Sequence, residues 1–205
     1  MTQNERRLPR QRHIGTRRTR EWLLFLRRWL AHPLRVAALL PSPPVLGELI
    51  AQRVPDPGER FILEVGAGTG AITRGLLRRV PEEQLVIVEL DEELCRWLRQ
   101  RFPRAIVLCG DATELAHLLP ERCRNGNIAA VISGIPIVQF TMAAKRAFVE
   151  QCFSLMGDDG GMFQYSYLPL SPLPARALGI EATRIGATMH SPLPMFLWRF
   201  VRPAG

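Results

Sequence analysis

From residue 60 onward the chain alternates between two hydrophobic rhythms. Short apolar runs at residues 60–65, 84–89, 104–109, 127–133 and 160–167 read as strands. Between them, residues 70–79, 91–101 and 141–156 carry helical patterns, and a short helix follows Asp111. Residues 181–190 and 194–202 read as a closing antiparallel pair. Strands separated by helices must run parallel, joined by crossovers. The expected fold is α/β: a doubly wound, mostly parallel seven-stranded sheet with a C-terminal antiparallel hairpin. Pro55-Asp56-Pro57-Gly58 is a turn, and the Pro-rich segment 169–174 is a loop.

The first part of the chain has a different rhythm. Trp22, Phe25, Leu26, Trp29 and Leu30 fall at i, i+3, i+4, i+7 and i+8, one face of an N-terminal amphipathic helix over residues 17–31. Arg18, Arg20, Arg27 and Arg28 lie mostly around the other side, and His32-Pro33 ends the helix. Pro41-Ser42-Pro43-Pro44 then punctuates the chain before a short helix at 45–53. Two regions are expected: a basic arm and helix at 1–35, and a catalytic domain at 36–205.

Charge sharpens that division. The net charge of the 205-residue chain is +8. Residues 1–35 hold ten arginines against two glutamates, so the arm carries all of it and the remainder is neutral. The body is therefore not a basic nucleic-acid binder by composition, and the arm seeks an anionic surface. With 47% hydrophobic and 22% charged residues, the balance is that of a soluble globular protein. No apolar run is long enough to span a bilayer, and the basic N-terminus does not lead into a signal peptide. Cys95, Cys109, Cys123 and Cys152 show no CxxC spacing, which argues against a metal site and predicts reduced thiols in the cytoplasm.

The chemistry concentrates where strands end. Leu63-Glu64-Val65-Gly66-Ala67-Gly68-Thr69-Gly70 stands at a strand-to-helix turn, where glycines let a ligand touch backbone. The spacing is GxGxG, not the GxGxxG more usual for a nicotinamide dinucleotide. Glu89 ends the next strand, where an acid can accept both hydroxyls of a ribose. Gly110-Asp111-Ala112 ends the third, where a carboxylate can accept from an adenine amine. This ordered set resembles the class I S-adenosylmethionine methyltransferases, whose sheet is Rossmann-like. The resemblance implies S-adenosylmethionine as cofactor and S-adenosylhomocysteine as product. It puts Glu64, Gly66, Ala67, Gly68, Thr69 and Gly70 at the methionine part, Glu89 at the ribose and Asp111 at the adenine. Leu90 and Ala112 would flank the ring, with Gly110 beside them.

The acceptor is read from later strand ends. After the fourth strand come Ser133-Gly134-Ile135-Pro136-Ile137. Enzymes that methylate exocyclic amines of bases resemble this point but carry an amide and an aromatic there, the amide binding the amine and the ring stacking on a flipped base. Ser133 and Ile137 stand in their places, although Phe140 is near enough to reach the site. Gln164-Tyr165-Ser166-Tyr167 ends the fifth strand, and the only two tyrosines of the chain, at i and i+2, share one face. They read either as sheet tyrosines or as an aromatic wall for an amine, with a hydroxyl to orient it or help it lose a proton.

With these residues, Leu40-Pro41-Ser42 and Pro192-x-Pro194 leading into residues 196–199, the chain resembles bacterial phospholipid N-methyltransferases of the phosphatidylethanolamine-methylating type. That resemblance implies successive methyl transfers to the ethanolamine nitrogen, ending in phosphatidylcholine. It implies that Ser42 and Ser133 help hold the cofactor and that Ile135 and Tyr165 line the acceptor site, with Tyr165 and Tyr167 as catalytic residues. Arg199 or His190 would meet the lipid phosphodiester. Arg18, Trp22, Phe25, Leu26 and Trp29 would hold the protein on an anionic phospholipid membrane surface at the inner face of the cell membrane. No nucleic-acid partner is expected. The alternatives are an rRNA adenine-N6 dimethyltransferase, its arm bound to RNA backbone, and a non-catalytic adaptor.

Overall fold

The computed structural model describes residues 44–189 and 194–203. The helix expected at 17–31, together with Ser42 and His190, lies outside the described residues. Elements are numbered here within the described part of the chain. The strands are β1 (Phe61–Val65), β2 (Leu85–Glu89), β3 (Ile106–Cys109), β4 (Ile128–Ser133), β5 (Met156–Ser166), β6 (Glu181–Thr188) and β7 (Met195–Val201). The helices are α1 (Pro44–Ala51), α2 (Ala71–Leu76), α3 (Glu92–Arg101), α4 (Leu115–Leu118), α5 (Met142–Leu155) and α6 (Ala175–Leu178).

The seven strands form one sheet in the order β3-β2-β1-β4-β5-β7-β6. Pairing is parallel from β3 through β5, and β7 runs antiparallel to both β5 and β6. The doubly wound sheet with its C-terminal hairpin is the one the hydrophobic pattern implies. The chain reverses direction across the sheet between β1 and β4, which opens a crevice above their carboxyl ends.

Both faces are covered. One core packs Leu63, Val65, Val131 and Met162 against Phe148, Cys152 and other residues of α5. The opposite core packs Ile62, Ile132 and Phe163 with Leu46 and Ile50 of α1 and Ile72 and Leu76 of α2. Because β-strand side chains alternate between faces, these two sets interleave along the same strands.

Caps fix the helix starts. The Asp91 side chain accepts from the amides of Glu93 and Leu94 at 2.9 and 3.0 Å. Acids in the first turn of α3 and arginines in its last complement the helix dipole. Thr141 caps α5 through the Ala144 amide at 3.2 Å.

Two elements differ from the sequence reading. β5 begins at Met156, four residues before the expected start. Its register against β4 shifts between Ile128 and Ala130, so that Met156 and Gly161 pair with residues only two apart. The Gly157-Asp158-Asp159-Gly160 turn is thus an irregularity inside a strand, not a loop before one. The segment after the Pro-rich loop forms α6, whose stop is Gly179 at φ 66°, a left-handed C-terminal glycine.

Candidate active site

The glycine loop crosses the crevice between β1 and α2. Gly66, Gly68 and Gly70 all have positive φ, at 73°, 56° and 74°, where side chains are disfavoured. The loop continues the sheet's hydrogen bonding: Gly66 N–H donates to the Val88 carbonyl and Gly134 N–H to the Val65 carbonyl, each at 2.8 Å. Ile135 packs so closely that a Cβ on Gly66 would lie 2.8 Å from its Cγ2. The segment after β4 is therefore the neighbouring wall of the glycine loop.

Two acids sit beneath this loop. Glu64 is 1% exposed. Its Oε2 accepts a 2.6 Å hydrogen bond from the Thr73 hydroxyl, while Oε1 is buried without a partner. Burial raises its carboxyl from 4.5 to about 8, with the Thr73 hydrogen bonds pulling the other way. A buried orphan oxygen beside a glycine cradle is a socket for a cationic donor, as the α-ammonium of a methionine group would be. Thr73 was not singled out in the sequence. Its only signal there is a hydroxyl nine residues after Glu64, inside the first turn of the helix that follows the loop.

Glu89 closes β2 and is also buried. Its Oε2 accepts from the Gly68 amide at 2.8 Å, and its Oε1 from the amides of Leu90 and Asp91 at 2.9 and 3.1 Å. Burial raises its carboxyl above the ordinary range, against the pull of these three donors. A carboxylate has about four acceptor positions, so one remains for a ribose hydroxyl.

A cavity of about 440 Å³ lies beside Glu89, lined by Leu90, Glu92, Arg96, Arg99, Cys109 and Gly110. Its volume suits a small-molecule ligand. Asp111 is exposed at its edge, where its Oδ1 accepts from the Thr113 amide and hydroxyl at 2.8 and 2.9 Å. Ala112 is half-buried, and Leu90 stands out into solvent. Cys109 of β3, which lines this cavity, is joined as a disulfide to the buried Cys95 of α3, which corrects the expectation of reduced thiols at these two positions. Their 14-residue separation hid the pairing, because it is the packing of α3 on β3 that brings them together. Cys123 and Cys152 are free and buried.

A second, smaller cavity of about 70 Å³ lies between the segment after β4 and the end of β5, lined by residues that include Ile135, Gln164, Tyr165 and Tyr167. The two tyrosine rings meet edge-to-face, 6.2 Å apart and 86° between planes. The Tyr167 hydroxyl is buried without a partner. Burial, then the neighbouring Tyr165, push its pKa up to about 12. Tyr167 thus stays a neutral O–H near pH 7, fit to orient an amine and unfit to serve as a tyrosinate base.

Ser133 is fully buried, its hydroxyl unpartnered, directly beside Gln164 in the sheet register. Ile137 is buried in the core under α5 and also lines the cavity, whereas Phe140 packs edge-on against Phe148 of α5 at 6.5 Å and does not line it. Arg199 pairs in register with Phe163 and lies over Gly161, toward the amino end of β5. The structure does not bring it to the tyrosines.

Comparison with known proteins agrees with this geometry. A family model described as a methyltransferase domain matches residues 62–160. An ornithine lipid N-methyltransferase from Singulisphaera acidiphila is 29% identical over 154 residues, covering 73% of this chain and 80% of that one. A ribosomal RNA small subunit methyltransferase A from Thermosynechococcus vestitus is 39% identical over 99 residues, covering 47% of this chain but only 34% of the relative. The glycopeptide N-methyltransferase MtfA, solved with S-adenosyl-L-methionine, superposes with a TM-score of 0.57 at 16% identity, covering 80% of this chain and 96% of that one. Residues 62–160 match a methyltransferase domain, in a fold shared with methyltransferases solved with S-adenosylmethionine, which supports S-adenosylmethionine as its cofactor.

Proposed function

We propose that this protein methylates the amine of a membrane phospholipid, phosphatidylethanolamine and its methylated intermediates, yielding phosphatidylcholine at the inner face of the cell membrane. The observation that carries this reading is the position of its exposed apolar side chains. Among the described residues six large hydrophobic side chains are open to solvent, between 45% and 73% exposed: Leu90, Val138, Met142, Leu168, Leu170 and Met189. Each follows the carboxyl end of a strand: Leu90 after β2, Val138 and Met142 after β4, Leu168 and Leu170 after β5, Met189 after β6. β6 runs parallel to β5, because both are antiparallel to β7, so all six lie along one edge of the sheet. That is the edge on which cofactor and acceptor meet. An apolar rim around a site mouth fits a substrate whose acyl chains remain in a bilayer.

Three further features support it. A relative of which this chain covers 80% is, by its name, an N-methyltransferase of ornithine lipid. The acceptor cavity of about 70 Å³ is far smaller than the roughly 300–1,000 Å³ of drug-sized ligand pockets, which suits the tip of a headgroup. The arm at residues 1–35 adds attraction to anionic lipid at about 1 kcal/mol per arginine near the surface.

Bound S-adenosylmethionine supplies an electrophilic methyl group on sulfur. The chain's part is positional: Glu64 holds the methionine end, Glu89 the ribose, Asp111 the adenine edge, and the tyrosines face the acceptor. Alignment of the acceptor with the methyl–sulfur axis supplies most of the acceleration. The test is methyl transfer from labelled cofactor to vesicles of phosphatidylethanolamine, vesicles of ornithine lipid, or ribosomal RNA. Label in phosphatidylethanolamine is the expected result. Label only in ornithine lipid moves the headgroup, and label only in RNA overturns the lipid reading. Deleting residues 1–32 is expected to abolish binding to anionic vesicles, and undiminished binding by the folded remainder would remove the arm from membrane attachment.

A further inference from the structure

The amide side chain that base-methylating enzymes carry at the end of β4 is absent here, because Ser133 stands at that place. Its neighbour across the sheet is Gln164 of β5, the register partner of Ser133. Paired residues on parallel strands project their side chains to the same face. Gln164 is 3% exposed. Its Nε2 donates to two carbonyls, Ile135 and Tyr165, each at 3.2 Å. Two carbonyl partners at one end assign that end as nitrogen. The other end, Oε1, is therefore a fixed acceptor, and it is buried without a partner. An orphan of this kind costs about 1–3 kcal/mol, so a ligand that fills it is the natural explanation. Gln164 lines the acceptor cavity together with Ile135, whose side chain packs on the glycine loop.

We infer that Gln164 Oε1 binds the acceptor amine, accepting one N–H so that the nitrogen lone pair faces the methyl group. The inference rests on the reading of the acceptor as a lipid amine. β5 thus supplies from the adjacent strand the amide oxygen that β4 lacks. In the transfer, the lone pair of the neutral amine forms the N–C bond while the C–S bond breaks and its electron pair stays on sulfur. The new ammonium then loses a proton to water. A neutral acceptor with no methyl group or one still carries an N–H for the Gln164 oxygen, and the neutral dimethylated acceptor of the last transfer has none to offer. Gln164 therefore distinguishes early methylation states from the last.

The test uses the full chain with phosphatidylethanolamine vesicles and three readouts: turnover, cofactor Kd by calorimetry, and inhibition by the trimethylated headgroup lipid. Gln164→Met keeps the volume and removes the amide. It is expected to lower turnover of the unmethylated lipid about tenfold, the worth of one hydrogen bond. Cofactor Kd and inhibition by the N–H-free lipid stay within twofold of wild type. Gln164→Asn, which keeps the amide but withdraws it by one methylene, gives the same pattern if Gln164→Met does not fold. Turnover within twofold of wild type in either variant overturns the inference. A parallel weakening of cofactor and trimethylated lipid overturns it too, because the amide then only braces Ile135. Wild-type protein that labels no lipid amine refutes instead the proposed function.

Discussion

Glu64→Gln should move stability and cofactor affinity in opposite directions. In the unliganded protein, burial lifts the Glu64 carboxyl from 4.5 to about 8. A folded-state value above the unfolded one means that the fold holds the proton more tightly than the unfolded chain does. Stability on this group is therefore fully present below about pH 4.5 and is lost as pH rises toward 8. At about 1.4 kcal/mol per unit, ionising the buried carboxyl costs the fold on the order of 3 kcal/mol between pH 5 and pH 8. Gln164 plays no part in this, since the partner of Glu64 is Thr73. A glutamine at position 64 keeps an acceptor for the Thr73 hydroxyl and cannot ionise. The variant's unfolding midpoint should then exceed wild type at pH 8 and match it near pH 5. Cofactor binding shows the reverse. A cationic ammonium docked at Oε1 favours the ionised carboxylate, so binding at pH 7 releases close to one proton and wild-type affinity rises with pH up to about 8. The variant loses a charge-assisted hydrogen bond of about 1.5–3 kcal/mol, a rise in Kd of roughly ten- to a hundredfold. Thermal melts at pH 5 and 8 and calorimetry in two buffers of different ionisation enthalpy measure both effects. A wild-type stability that runs parallel to the variant's across this range, or binding at pH 7 without proton release, would refute the reasoning.

Four other outcomes follow from local features. Tyr167→Phe removes a buried hydroxyl that has no partner in the fold, so the melting temperature should hold or rise while turnover falls several-fold; a loss of stability would mark the hydroxyl as structural. With that hydroxyl titrating at about 12, the pH–rate profile of wild type should show no Tyr167 limb below about pH 10. Replacing Leu168 and Leu170 together by Glu should cut binding to vesicles at least fivefold with cofactor Kd unchanged, and equal vesicle binding by the double variant would detach the rim from membrane contact. Gly75→Ala drives a methyl group into the backbone of Gly47, where α1 crosses α2. The gain of about 1 kcal/mol in helix propensity is outweighed by a backbone clash of about 2–3 kcal/mol, so the midpoint of thermal unfolding should fall by several degrees.

What the sequence made legible is what local pattern encodes. The parallel strands, their order of appearance and the acids at their carboxyl ends can be read because each lies within a few residues of its own signal: Glu64 two before Gly66, Glu89 at the end of an apolar run, Asp111 after Gly110. What stayed hidden depends on which strands become neighbours. Nothing local joins Cys95 to Cys109 until α3 packs on β3, and nothing places Arg199 over Gly161 until β7 pairs antiparallel with β5. Gln164 is the sharpest case. As a letter it is one polar residue in a strand; only the register beside Ser133 and the two carbonyls on its nitrogen turn it into a fixed acceptor. The acceptor side of the site is thus assembled across strands, whereas the cofactor side is assembled along them. A motif reading therefore identifies the methyl donor readily and says less about what receives the methyl group. Discrimination among lipid, RNA and peptide amines should be sought in cross-strand pairs at the β4–β5 edge, where a substitution on one strand can be offset by a side chain on the other.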